Sequence, residues 1–70
     1  MGVGKEWRPI ATAPVEEELE VRLEDPFGRY VLLFPCKLVS GRGWINSRLE
    51  TPLRAEPVDW RYWDEASIHF

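Results

Sequence analysis

Six prolines and five glycines interrupt this 70-residue chain so often that no long helix has room to form. Proline fixes its own φ, lacks an amide hydrogen and pushes the preceding residue toward extended geometry. The chain must therefore be assembled from short extended pieces joined by turns. Trp7-Arg8-Pro9-Ile10-Ala11-Thr12-Ala13-Pro14, with a proline near each end, reads as an extended N-terminal arm laid across the domain like a strap. Val15 to Glu18 follow as a short turn with Glu16 to Glu18 toward solvent.

Between the arm and Pro26 the pattern becomes regular. Glu18 to Glu24 alternates without exception, placing Leu19, Val21 and Leu23 on one face and Glu18, Glu20, Arg22 and Glu24 on the other. A period of two is the signature of a strand with one buried face. Asp25-Pro26-Phe27-Gly28 offers the residues that a β-turn requires in order. Arg29 to Lys37 is apolar on both sides, with Tyr30, Leu32, Phe34 and Cys36 against Val31 and Leu33, and this predicts a central strand covered on both faces. Pro35 then marks a bulge or the exit of that strand. Ser40-Gly41-Arg42-Gly43 is a second turn, Gly43 to Asn46 a third strand, Asn46 to Thr51 turn-like, and Pro52 to Arg54 a fourth extended piece. Val58 to Trp63 closes the sheet, with Val58, Trp60 and Tyr62 on one face and Asp59, Arg61 and Trp63 on the other. The expected fold is mostly β: a single small antiparallel sheet, a meander of four to five short strands, with the arm packed onto it by tryptophans. Residues 1–70 form one domain, and residues 1–6 and 66–70 are expected to be flexible.

A chain of this size buries only about 60% of the surface that it exposes when unfolded, so something must reinforce the core. An intrachain disulfide is excluded, because Cys36 is the only cysteine. A structural zinc site takes four Cys or His ligands, and the chain has Cys36 and His69 alone. Aromatic packing or self-association remains. Four tryptophans, two tyrosines and three phenylalanines supply the material for the first.

The arm and the closing strand carry a resemblance. Trp7-Arg8-Pro9-Ile10-Ala11-Thr12-Ala13-Pro14 is similar to the W-x-P-I-x-T-A-P opening of the DUF551-like family of short uncharacterised bacterial and phage proteins. That family continues with an apolar strand, matched by Tyr30 to Phe34, and a Gly-x-Trp segment, matched by Gly41-Arg42-Gly43-Trp44. It ends on P-T-H-W, matched by Pro57-Val58-Asp59-Trp60. The sequence departs from the pattern where Asp59 replaces the histidine and where no proline-rich tail follows Trp60. The resemblance implies a small bacterial or phage domain with no established activity, in which Trp7, Pro9, Ile10, Thr12, Pro14, Asp59 and Trp60 form the structural motif.

Chemistry-bearing residues are few. Cys36 and His69 lack the spacing of a nucleophile–base pair, and Cys36 reads as a small buried strand residue. Glu16-Glu17-Glu18 and Asp64-Glu65 are contiguous acidic runs of the solvated kind. Asp59 is expected to pair with Arg8 or Arg61, or to accept backbone amides. Gly41-x-Gly43 is a turn without the following Lys-Ser/Thr of a phosphate loop. No catalytic residue, metal site or cofactor is expected.

Charge is unevenly placed. Residues 1–25 hold three basic and seven acidic groups, 26–56 five and two, and 57–70 one and three. Neutralisation across neighbouring strands accounts for this; a basic face for an anionic partner is the alternative. The leading expectation is a non-catalytic module that binds another protein, with a homodimer as one form of that binding. The alternative is a nucleic-acid binder that uses the basic 26–56 region and exposed tryptophans, with Arg42, Trp44, Arg61 and Trp63 as the candidate surface. No membrane association is expected. The lone thiol and the absence of an apolar leader suggest the cytoplasm.

Overall fold

The computed structural model describes residues 6–64. The expectations for residues 1–5, for the tail and for His69 lie outside them. The described chain is mostly β, a single open antiparallel sheet of seven short strands with no α-helix. The strands are β1 (Arg8–Pro9), β2 (Leu19–Asp25), β3 (Gly28–Val31), β4 (Cys36–Val39), β5 (Gly43–Asn46), β6 (Thr51–Pro52) and β7 (Asp59–Tyr62). A single 3-10 turn, Ile10–Thr12, lies between the first two.

The β2–β3 hairpin forms where the turn residues place it. Asp25 pairs with Gly28 across the two-residue loop, and the Asp25 Oδ1 accepts the Phe27 amide at 2.8 Å. Gly28 has φ 132°, a region open to residues without a Cβ, which is why glycine ends this turn. The apolar side of β2 is as expected, with Leu19, Val21 and Leu23 buried in the main cluster beside Cys36, Trp44 and Trp60. The expected single buried face is not found, because Glu20 on the other side is buried as well.

Two expectations are corrected. The apolar run from Arg29 to Lys37 is not one central strand. It pairs with β2 through Val31, with the Leu32 amide continuing to the Val21 carbonyl at 3.1 Å, and then breaks over residues 32–35. Pro35 cannot donate to a ladder, and β4 begins immediately after it, touching β2 only through Leu19–Cys36 before turning to pair with β5. Apolarity on both sides of this run does not mean cover on both sides, for Leu33 and Tyr30 stay exposed. The second correction concerns sheet order. The path is β1-β7-β2-β4-β5-β6, with β3 on β2, so the last strand does not extend the meander at β6. It returns to lie between β1 and β2, in register Leu19–Tyr62, Glu20–Arg61, Val21–Trp60 and Arg22–Asp59.

This return joins the two ends of the chain. The arm pairs with β7 through Arg8–Trp60 and Pro9–Asp59, and the Ile10 amide donates to the Val58 carbonyl at 3.3 Å. Ile10 and Ala13 pack on the apolar cluster, while Trp7 lies over the opposite face of the sheet. The arm therefore grips the β7 edge from both sides.

Removal of a fully buried side chain from β2 should be costly. Leu19→Ala is expected to lower unfolding stability by about 2–5 kcal/mol, whereas Leu49→Ala, at an exposed turn position, should change it by less than about 0.5 kcal/mol, both read from urea melts.

Candidate functional site

Two places gather residues singled out by sequence, and a third lies apart from them. The first is the tryptophan lock of the arm. Pairing with Val21 places Trp60 on the apolar face, where its ring meets Tyr62 edge-on at 5.0 Å. Its Nε1 donates to the Pro9 carbonyl at 3.1 Å and to Thr12 Oγ1 at 3.0 Å, and Thr12 Oγ1 in turn donates to Pro9 O at 2.7 Å. A buried indole N–H requires an acceptor. The two acceptors come from the arm, so Pro9, Ile10, Thr12 and Trp60 act as one unit. Pro14 is half-buried at the end of the arm, just before Val15 bridges Leu38.

The second place is the opposite face of β2 and β7, where charge replaces apolar cover. Arg22 grips Asp59 with a two-pronged contact, Nε to Oδ1 at 2.9 Å and Nη2 to Oδ2 at 2.6 Å, and Arg29 Nη1 adds a third bond to Oδ2 at 3.0 Å. Arg61 Nε donates to Glu20 Oε1 at 2.6 Å. The Trp7 ring lies over this layer, with the Arg22 and Arg61 guanidinium carbons 4.4 and 4.2 Å from its centroid, within cation–π range. Strand register decides these partners: Arg22 stands directly opposite Asp59, and Glu20 opposite Arg61. Asp59 thus pairs with Arg22 and Arg29, not with Arg8 or Arg61, while Arg8 lies 5.9 Å over the Trp60 ring. The Arg22 hydrogen bonds hold the Asp59 carboxyl below its ordinary value, against an opposing push from burial, and the Arg22 and Arg29 charges add to the lowering. Arg22 is raised in return, chiefly by the same hydrogen bonds.

The candidate surface of Arg42, Trp44, Arg61 and Trp63 is not one face. Trp44 is 8% exposed and belongs to the apolar cluster, because its partner across the ladder is Leu38 and both point inward. Arg61 is committed to Glu20 and Trp7 on the other side of the sheet. Arg42 is exposed and donates to the Glu50 carbonyl at 3.3 Å, and Trp63 is half-buried with the Arg48 guanidinium 5.8 Å from its ring. Cys36 is fully buried, and burial pushes its thiol up to about 12, so it carries little thiolate to act as a nucleophile.

The third place was not legible from sequence. A cleft of about 370 Å³ opens between β3 and β6, lined by Leu23, Tyr30, Leu32, Phe34, Asn46, Thr51, Pro52, Leu53 and Arg54. Its volume falls within the ~300–1,000 Å³ of small binding pockets. Leu32 and Phe34, from the break at residues 32–35, form part of its wall. The double-sided apolar pattern around Pro35 was the available signal. No family model, curated protein or solved structure matches this chain.

Asp59 makes stability depend on acidity with a definite sign. A carboxyl held below its unfolded value contributes stability that is present above that value, about 3.9, and is lost as pH falls through the lower folded value. Wild type should therefore weaken in urea melts as pH falls through the ordinary carboxylate range and below it. Asp59→Asn should be less stable by up to about 3 kcal/mol at neutral pH, because it leaves Arg22 without its counter-charge and Arg29 with Glu24 alone, 3.9 Å away. Its acid slope should be shallower.

Proposed function

We propose that this chain is a non-catalytic module that binds another protein through the cleft between β3 and β6. The observation that carries the reading is an apolar cleft beside a strand, β3, whose only partner among the described residues is β2. Open strand edges beside apolar surface are where extended protein segments add to a sheet. The immediate surroundings suit such a role, with Phe27 at the hairpin tip 96% exposed and Tyr30 and Leu33 exposed nearby. The non-catalytic part of the reading rests on the engagement of the reactive groups: the Cys36 thiol is buried and Asp59 is held by two arginines.

The nucleic-acid alternative keeps the Arg48–Trp63 contact and the exposed Arg42 in its favour. It has less to draw on in the rest of the basic 26–56 stretch, where Arg29 is tied to Asp59 and Trp44 is covered. Among the described residues, no helix is long and apolar enough to cross a membrane. We place the chain in the cytoplasm and with the DUF551-like proteins of bacteria and phages. In support of the second assignment, Pro9 and Thr12 of the opening motif accept the Trp60 indole N–H.

Selection of a random peptide display library on the immobilised full-length chain, followed by fluorescence anisotropy, tests the reading. Peptides binding at micromolar Kd are expected, together with unchanged tryptophan emission when a single-stranded oligonucleotide is added at low salt. Absence of any peptide binder, with quenching by the oligonucleotide that weakens as salt rises, would replace the protein reading with the nucleic-acid one.

A further inference from the structure

Two features of the cleft narrow its occupant beyond protein in general, and this narrowing rests on the protein-binding reading. The first is the direction of the β3 backbone. The Asp25–Gly28 pair closes the hairpin, and Leu32 donates its amide to Val21 at 3.1 Å. In an antiparallel ladder alternate residues turn their N–H and C=O groups to the same side. Gly28, Tyr30 and Leu32 face β2, so the backbone groups of Arg29 and Val31 face away from it, along the free edge. The second is the other wall. β6 is two residues long and includes Pro52, which has no amide hydrogen, so it is a poor template for pairing. β2 and β5, which reach the cleft through Leu23 and Asn46, are paired on both sides, so of the strands that line it β3 is the one equipped to receive a new strand.

The side chains supply the rest. Leu23 and Tyr30 sit opposite each other on the apolar face, and with Leu32, Phe34 and Leu53 they offer the cleft an apolar floor. An added strand would point every second residue at that floor. Arg54 lines the same cleft, is exposed, and makes no ion pair with any other described residue. It leaves a positive group at the mouth of an apolar slot.

We propose that the cleft captures an extended peptide segment of a partner protein by strand addition to β3. The segment carries apolar residues at alternate positions and a carboxylate placed to meet Arg54. The β3 edge of a second copy is a poorer occupant, because Gly28-Arg29-Tyr30-Val31 contains no carboxylate to offer Arg54 and brings another arginine. Charge complementarity therefore favours a segment of a different protein.

The test uses the full chain and three synthetic peptides of alternating Val and Thr that differ in one residue near the end, as Asp, Asn or Lys. Affinity is read by fluorescence anisotropy, and the site by amide shifts in nitrogen-15 spectra. The Asp peptide is expected to bind best and to move the Arg29, Tyr30 and Val31 amides most. Arg54→Glu should weaken the Asp peptide by on the order of 10-fold and strengthen the Lys peptide, a reversal that a merely unfolded variant cannot produce. Val31→Pro, which removes an edge amide that does not face β2, should abolish binding while the buried tryptophans keep their emission. Equal affinity of the three peptides for both forms would overturn the carboxylate requirement. Binding that shifts only β1 or β6 amides would overturn the site while leaving the protein-binding reading intact. A concentration-dependent dimer with the Arg29 and Val31 amides protected would assign the cleft to a second copy. Failure of these peptides, with display-selected peptides still binding, would overturn the strand-addition proposal alone. If both sets fail, the reading beneath it falls as well.

Discussion

The pairing of β2 with β7 determines most of what this chain can be. It joins residues about forty positions apart, and it sets one register for both faces of the sheet. On one face that register places Trp60 against Val21, deep in the apolar cluster. On the other it places Asp59 against Arg22 and Arg61 against Glu20. A shift of one residue would exchange these sets and bury charges in the core, so the two faces enforce the same alignment. The arm then fastens to the outside of β7, with its Pro9 carbonyl and Thr12 hydroxyl receiving the Trp60 indole and its Trp7 covering the arginines behind. In a chain with one cysteine, this arrangement performs the work of a cross-link between distant segments. The Trp60 contact to Pro9 spans 51 positions.

Glu20 shows how far the charged layer departs from an ordinary solvent face. It is 3% exposed, a degree of burial that carboxylates tolerate only with a partner, and Arg61 provides one at 2.6 Å. Among the described residues no buried polar side-chain atom is left without a hydrogen bond. Alternation with acidic and basic residues in β2 thus encodes two covered faces, one apolar and one ionic beneath Trp7, where a single buried face would be the simplest inference. Part of the uneven charge along the sequence is met in the same layer, where Arg29 of the basic stretch reaches Asp59 of the acidic closing segment and Arg61 reaches Glu20.

What could be read from sequence was local. The strict alternation of β2, the Asp-Pro-Phe-Gly turn and the Gly-Arg-Gly turn each contain their whole cause within a few residues, and all three appear where expected. Long-range choices were not readable in this way. Nothing in Val58 to Trp63 says that the strand returns between β1 and β2, because a closing strand at the far edge has the same pattern. Asp59 could be recognised as a pairing residue, but naming Arg22 and Arg29 requires the register. Trp44 was misplaced because the arginine beside it suggested a stacking surface, while its ladder position opposite Leu38 commits it to the core. The cleft escaped for a related reason. It is a space that Leu32, Phe34 and their neighbours leave uncovered, and sequence patterns report what residues prefer to cover.

Native-state hydrogen exchange tests most directly whether the arm and the β2–β7 pair form a single cooperative unit. If they do, the Ile10 and Ala13 amides, bonded to Val58 and Ile10 carbonyls, exchange only through the same global opening that releases the central amides of β2 and β7. The short β5–β6 edge exchanges earlier, by local opening. Arm amides that exchange freely while β2 and β7 remain protected would show that the arm merely rests on the sheet, and that Trp60 does not hold the chain's distant segments together.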